Sequence, residues 1–295
     1  MTASLADSID PAFEIRGVHA GMGPFVFNSP HSGRTYPRSF VEQARLDFST
    51  LRRSEDSFVD ELFEGVVEHG APFMQALFPR AFLDLNREPY ELDPRMFEGR
   101  LPPYANTRSL RVASGLGTIA RVVGEAKEIY ARRLPLDEGL GRIETYYKPY
   151  HSALRDLLMQ VRRQWGMVVL VDCHSMPSTS IRDPAARADF VIGDRFGTSC
   201  SALVTDALER ELSIAGYCVL RNKPYAGGYI TEHYGNPAAG VHAVQIEVNR
   251  GLYMEEAIYE RGAAFAQVRD DIQGAMLRML ENLRTRLGPT RTAAE

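Results

Sequence analysis

Four consecutive residues able to ionise or to bind a metal or an electrophile, Asp172, Cys173, His174 and Ser175, follow directly on the apolar run 167–171. Two further places share that character: His31 inside SPHSG (29–33), and the acidic pair Glu55 and Asp56 ahead of an apolar-periodic stretch. Two imidazoles and one carboxylate form the ligand set of a hydrolytic zinc site, which takes three protein ligands and leaves a fourth position for water. His and carboxylate donors accept other divalent ions as well. Taken singly, each residue has a plainer explanation. A histidine can be a satisfied core residue, and a carboxylate in a first helical turn complements the macrodipole and caps free N–H groups. The three cysteines, Cys173, Cys200 and Cys218, include no CxxC pair, so neither a cysteine zinc site nor a disulfide framework is expected.

Alternation along an extended strand sorts the neighbours of these groups. Asp172 lies two residues before His174 and points to the same side, where it either orients the imidazole or pairs with a base. Cys173 points the other way, as a small buried hydrophobe; this argues against a nucleophile in which Cys173 and His174 share a proton. In HAVQIEVNR (242–250) Gln245 and Glu247 share one face, with Val244, Ile246 and Val248 on the other. A carboxylate on a largely buried strand needs a partner or shifts its pKa. Glu247 is therefore either a general base beside a metal site or half of a buried ion pair with an arginine such as Arg87 or Arg121.

The elements that must position these groups are read from periodicity and punctuation. A strand over 24–29 enters a loop at Ser29, and a helix begins near 54, capped by Ser54 or Asp56 and followed by Gly70. Two short strands are expected on either side of Pro79, then a long loop over 93–118. Helices are expected over 119–133 and 137–166, the second bent at Pro149. Strands follow at 167–171 and 188–194, a helix near 198–214, a strand at 216–222, a glycine-rich loop at 225–235 and a strand at 242–250. An amphipathic segment over 254–286 ends the fold. Strands interleaved with helices, several of them apolar throughout, predict an α/β fold with a mixed, mostly parallel sheet covered on both faces. Ligands in such sheets gather beyond the carboxyl ends of strands, where the DCHS run emerges.

The length allows one large domain or two modest ones; one catalytic domain is expected over residues 1–287, with a loose tail at 288–295. The chain has 295 residues, 44% hydrophobic and 24% charged, and 34 basic against 38 acidic residues give a formal charge of -4. No basic block marks a nucleic-acid partner. The N-terminus shows no basic region followed by an apolar one, and no apolar run approaches a membrane span; a soluble cytoplasmic protein is expected.

Six motifs occur in order: SPHSG at 29–33, ED at 55–56 before an amphipathic stretch, DLNR at 84–87, DCHSMP at 172–177, GGYITEHYG at 227–235 and QIEVNRGLYM at 245–254. Together they resemble the N-formylglutamate amidohydrolase family, from about residue 24 to 270. The resemblance implies a single phosphorylase/hydrolase-like α/β domain related to the zinc carboxypeptidases and aspartoacylase. It implies one zinc ion held by His31, His174 and a carboxylate of the acidic pair. Asp56 matches the family's more regular acidic position, with Glu55 as the alternative. Glu247 occupies the place of the glutamate that activates water.

The implied reaction is hydrolysis of N-formyl-L-glutamate to formate and L-glutamate, the last step of one histidine degradation route. A substrate with two carboxylates calls for guanidinium forks or comparable donors. The candidates for the oxyanion and the two carboxylates are Arg87 with Asn86, Arg121 within LGTIAR (116–121), and His233 with Tyr229. Arg121, at the expected start of a helix, sits where the dipole disfavours a cation, which favours a functional role. Gly227 and Gly228 let backbone approach a ligand or make a turn. The expected partner is a small N-acyl amino acid. The rival readings are a zinc carboxypeptidase or deacylase with another substrate, and a metal-binding protein without turnover.

Overall fold

The computed structural model describes residues 3–17, 23–124, 126–180 and 188–287. The segment 288–295, expected to be a loose tail, lies outside them. Contacts divide the chain into two compact units: one of 15–29, 58–74 and 154–295, the other of 1–14, 30–57 and 75–153.

The chain carries a seven-stranded mixed sheet, five of whose strands lie wholly in the first unit. Its strands are β1 (Phe13–Arg16), β2 (Phe25–Ser29), β3 (Phe73–Ala76), β4 (Val168–Met176), β5 (Phe190–Gly193), β6 (Val219–Arg221) and β7 (Val241–Asn249), in the order β6-β5-β7-β4-β2-β3-β1. β4 is parallel to both β2 and β7, β5 is parallel to β6, and β5 is antiparallel to β7. All nine residues of β4 are buried, which explains its near-continuous run of Val and Leu. The strand runs on through DCHS to Met176, so these groups belong to the sheet itself rather than to a loop beyond its end.

The pleat gives the sheet two chemically different faces. Val169, Val171 and Cys173 of β4 share one with Phe25 and Phe27 of β2, Val244, Ile246 and Val248 of β7, and Phe190 and Ile192 of β5. Helices α1 (Val59–Phe63), α2 (Ala202–Ile214) and α3 (Phe265–Leu287) bury their apolar stripes there, with Leu62, Leu208, Ile272 and Met276 fully enclosed. Each such side chain contributes roughly 1.5–3 kcal/mol of burial. On the opposite face, one register row reads Asn28, Asp172, Gln245, Gly193, and the next reads His174, Glu247, Val191.

The second unit holds short paired strands and an aromatic core. Ser4–Ala6 pairs with Thr35–Pro37, Phe97–Glu98 with Leu134–Pro135, and Val122–Val123 with Lys127–Glu128. Phe40, Phe78, Phe82 and Tyr146 pack edge to face or tilted. The buried Arg142 guanidinium lies 4.3 Å from the Phe82 ring centroid, and its Nη1 donates to the Tyr130 hydroxyl at 2.7 Å.

Several expectations need correction. The described residues of 119–133 form no helix: β-branched Val122 and Val123 pair antiparallel with Lys127 and Glu128, and Ala126 has φ +56°. The dipole argument for Arg121 lapses with that helix. No strand follows Pro79; the Phe82 N–H returns to the Pro79 carbonyl at 3.0 Å, and the apolar residues there fill a buried turn. Helix α1 starts at Val59, after Phe58 in the left-handed region at φ 66°, and neither Ser54 nor Asp56 caps it. The 93–118 segment contains a two-residue strand and a helix, Leu110–Ala113, capped by Ser109. The glycine-rich loop includes helix Tyr229–Tyr234. The expected helix over 137–166 is present from Leu136 to Trp165, with a π-helical stretch, Ile143–Tyr147, in the turn before Pro149. Among the described residues no helix is long and apolar enough to cross a membrane.

Candidate metal centre

His31 stands two residues beyond β2, on a loop pressed against its neighbours. A Cβ on Gly33 would lie 2.2 Å from the Phe78 carbonyl oxygen, so the SPHSG glycine is required by close backbone approach. The Asp56 N–H donates to the His31 carbonyl at 3.1 Å, which brings the second acidic residue of the pair beside the imidazole. His31 Nδ1 then lies 3.5 Å from Asp56 Oδ2, with both residues buried. Two ligand atoms of one tetrahedral zinc ion, each about 2.0–2.1 Å from it, stand roughly 3.3–3.4 Å apart. The observed separation fits that requirement.

The other ring nitrogen of His31 is committed. Nε2 meets Asp84 Oδ1 at 2.8 Å. Burial pushes the Asp84 carboxyl up, but Arg80, Arg87 and His31 together hold it well below the usual carboxylate range. An ionised carboxylate only accepts, so Nε2 is a donor, and Nδ1 is the ring nitrogen that faces Asp56. Arg80 Nη2 donates to Asp84 Oδ2 at 2.8 Å and the Asn86 N–H to Oδ1 at 2.8 Å.

His174 is held in the same manner from within the sheet. Its Nε2 meets Asp172 Oδ2 at 2.8 Å, and Asn28 Nδ2 donates to Asp172 Oδ1 at 2.8 Å. The side chain two residues before His174 on its strand therefore holds the imidazole, from the side that alternation predicts. A metal-ligating histidine characteristically gives its second nitrogen to a carboxylate, and here both do.

His31, Asp56 and His174 are buried and each offers a ligand atom; these atoms all lie within 4.8 Å of one another, so the group could hold a metal ion. Glu55 is differently placed. Its carboxylate accepts from the Tyr36 hydroxyl at 2.6 Å, from Arg52 Nε at 3.0 Å and from Ser57 Oγ at 2.8 Å. Those bonds occupy both oxygens and make Glu55 a brace for the loop that carries Asp56.

Glu247 is the register partner of His174 on the same face of the sheet and accepts from Gln245 Nε2 at 2.8 Å. Cys173 lies on the opposite face in the apolar core, where burial and the neighbouring Asp172 charge push its thiol well above the usual range. Ser175 Oγ accepts from Arg250 Nε at 3.0 Å.

The remaining candidates have defined partners. Arg87 donates from Nε to the Leu116 carbonyl at 2.8 Å and from Nη1 to the Asn86 carbonyl at 2.7 Å, with Nη2 3.5 Å from Asp84 Oδ2. Arg121 donates from Nε to Asp93 at 2.9 Å and from Nη1 to Glu128 at 3.0 Å, beside a cavity of about 190 Å³ also lined by Arg45, Arg95, Arg132 and Arg133. Tyr229 and His233 stack at 4.9 Å on the helix that Gly228 begins. Burial, aided by Arg155, pushes the His233 imidazole down and so favours its neutral form. Asp84 and Asn28 were not singled out from the sequence as holders of ring nitrogens or their carboxylates. They lie 53 and 144 residues from their partners, beyond the reach of any spacing rule.

Comparison with known proteins was consistent along most of the chain. A family model described as N-formylglutamate amidohydrolase matches residues 23–254. A curated N-formylglutamate deformylase from Pseudomonas putida is 30% identical over 252 residues, covering 82% of this chain and 86% of that protein. A second, from Pseudomonas aeruginosa, is 27% identical with the same coverage. The crystal structure of N-formylglutamate amidohydrolase from Ralstonia eutropha JMP134 superposes with a TM-score of 0.88 at 38% identity, over 93% of this chain and 99% of that one.

Proposed function

The chain belongs to the N-formylglutamate amidohydrolase family, and we propose that it hydrolyses N-formyl-L-glutamate to formate and L-glutamate, with one zinc ion held by His31, Asp56 and His174. The observation that carries this reading is the ligand group itself: two buried imidazoles, each with Nε2 on a carboxylate, and a buried carboxylate 3.5 Å from one of them. When bound, a zinc ion supplies Lewis acidity toward a carbonyl oxygen and lowers the pKa of water toward about 7.

The chain's own residues supply the rest. Glu247, next to His174 in the strand register, takes a proton from the attacking water and delivers it to the departing nitrogen as the C–N bond breaks. Asp84 and Asp172 keep Nε2 of each histidine protonated, so that both rings present Nδ1. Asn86 and Arg87 are attached to the Asp84 end of this network, and the proposed role of the Arg87 guanidinium is to donate to a substrate carboxylate. Arg121, Tyr229 and His233 remain proposed contacts for the second carboxylate or the developing oxyanion, a role worth roughly 3–4 kcal/mol of barrier where a donor is aimed at the charge. The product amino acid and one-carbon acid suit the last step of histidine degradation.

The test is a formate-release assay on N-formyl-L-glutamate, alongside N-acetyl-L-glutamate and a glutamyl dipeptide, before and after chelation and zinc restoration. The reading expects formate release that chelation abolishes and zinc restores. Preference for the dipeptide, or full activity after chelation, contradicts it.

A further inference from the structure

Gln245 and Gly193 face each other in the antiparallel register of β7 and β5. We propose that Gln245 is a positioning residue that ties the glycine-rich loop to Glu247, and that Gly193 is a glycine so that this tie can form. The inference rests on the assignment of Glu247 as the proton-transferring residue.

Gln245 and Glu247 are both buried, 4% and 7% exposed, on the sheet face that carries His174. Gln245 Oε1 accepts from the Gly228 N–H at 2.9 Å, while its Nε2 donates to Glu247 Oε1 at 2.8 Å. The amide has only one workable orientation. A backbone N–H can only donate, so the oxygen must face Gly228 and the NH2 must face the carboxylate. Reversing it would set donor against donor at one end and acceptor against acceptor at the other. Glu247 thus has one carboxylate oxygen held by a group that is itself held.

The loop reaches Gln245 because its neighbour in the sheet lacks a side chain. A Cβ on Gly193 would lie 2.7 Å from both the Ala226 carbonyl carbon and the Gly227 nitrogen. Those are backbone atoms on either side of one peptide bond, and no flexible side chain can yield. The loop is also fixed from its other side. The Arg195 N–H donates to the Ala226 carbonyl at 2.8 Å, and Thr231 Oγ1 donates to the Gly228 carbonyl at 2.9 Å. Gly227 sits at φ +116°, a conformation that directs the next N–H at the glutamine and that a side chain would strain.

Gly228 is the N-cap of the helix bearing Tyr229 and His233. Its N–H serves Glu247 through Gln245 and is therefore not available to substrate. Movement of that helix is passed through one amide to Glu247.

Gln245→Leu removes both bonds while keeping volume close. In zinc-loaded enzyme the inference predicts a kcat on N-formyl-L-glutamate lowered roughly ten- to hundredfold, with KM within about twofold and zinc stoichiometry unchanged. In 15N-glycine-labelled protein the Gly228 amide exchanges about tenfold faster or more. Gly193→Ala produces the same pair of effects, and the double variant is no slower than the slower single one. Should Gly193→Ala not fold, Gln245→Leu alone decides the matter. The inference is overturned if Gln245→Leu leaves both kcat and Gly228 exchange at parental values, or if kcat is unchanged while Glu247→Gln abolishes turnover. A Glu247→Gln enzyme with parental turnover defeats the underlying assignment instead, and the Gly228 exchange rate then still reports whether the tie exists.

Discussion

Glu247 stands directly beside His174, its partner in the parallel pairing of β7 with β4, so the proposed proton carrier and a proposed metal ligand occupy adjoining, buried positions on one face of the sheet. The backbone of each lies within a strand of the sheet rather than in a loop. Both are carried on strands buried for nearly their whole length, whose far faces are packed against helices, which is the kind of rigid support that catalytic geometry requires.

Glu247→Gln should therefore keep its metal and lose turnover. The amide preserves shape but cannot accept and return a proton, and general acid–base contributions of this kind amount to about 10²–10⁴-fold. Steady-state formate release and metal analysis on the same preparation check it. Parental turnover would place the base elsewhere.

Asp84→Asn and Asp172→Asn each remove the charge that holds one imidazole. Metal affinity is expected to fall roughly 10- to 100-fold in either variant, measured by competition with a chromophoric chelator. An unchanged affinity in both would mean that these carboxylates have no part in ligand orientation.

Cys173 should be dispensable for chemistry. Its thiol is buried in the core on the face opposite His174, held well above its usual pKa by burial and by Asp172. Cys173→Ala is expected to retain turnover within about twofold and to lose on the order of 1 kcal/mol of stability through the small cavity left behind. Inactivation of native enzyme by a thiol-alkylating reagent, absent in Cys173→Ala, would contradict this.

Glu211 on α2 offers a pH test of the packing between α2 and α3. Burial raises its carboxyl, but bonds from Arg210 at 2.9 Å and Arg278 at 3.0 Å outweigh burial and lower its pKa. A depressed pKa contributes stability above the unfolded value of about 4.3, and that contribution is lost as pH falls through the folded value. Glu211→Gln should have a lower urea midpoint than the parent at pH 7, with the gap closing as pH drops below about 4. A gap that stays constant across that range would show that the ion pairs contribute nothing.

Much of the site was legible because strands obey a two-residue period. Alternation alone put Asp172 with His174, set Cys173 apart, and placed Gln245 and Glu247 together, and the register confirms each. The family resemblance supplied Asp56 over Glu55; the structure adds the physical reason, since Glu55 is saturated by Tyr36, Arg52 and Ser57. The capping alternative for Asp56 fails because helix α1 begins only after Phe58. What escaped the sequence was long-range. Nothing local links Asp84 to His31 or Asn28 to Asp172. The 119–133 segment misled because its apolar spacing imitates a helix, while Val122 and Val123 pair antiparallel with Lys127 and Glu128.

The most direct measurement is an anomalous difference map at the zinc absorption edge from crystals grown with the metal. The account predicts one strong peak about 2.0–2.2 Å from His31 Nδ1, an Asp56 carboxylate oxygen and His174 Nδ1. No peak there, or a peak bound by Glu55 or by one histidine alone, would contradict it.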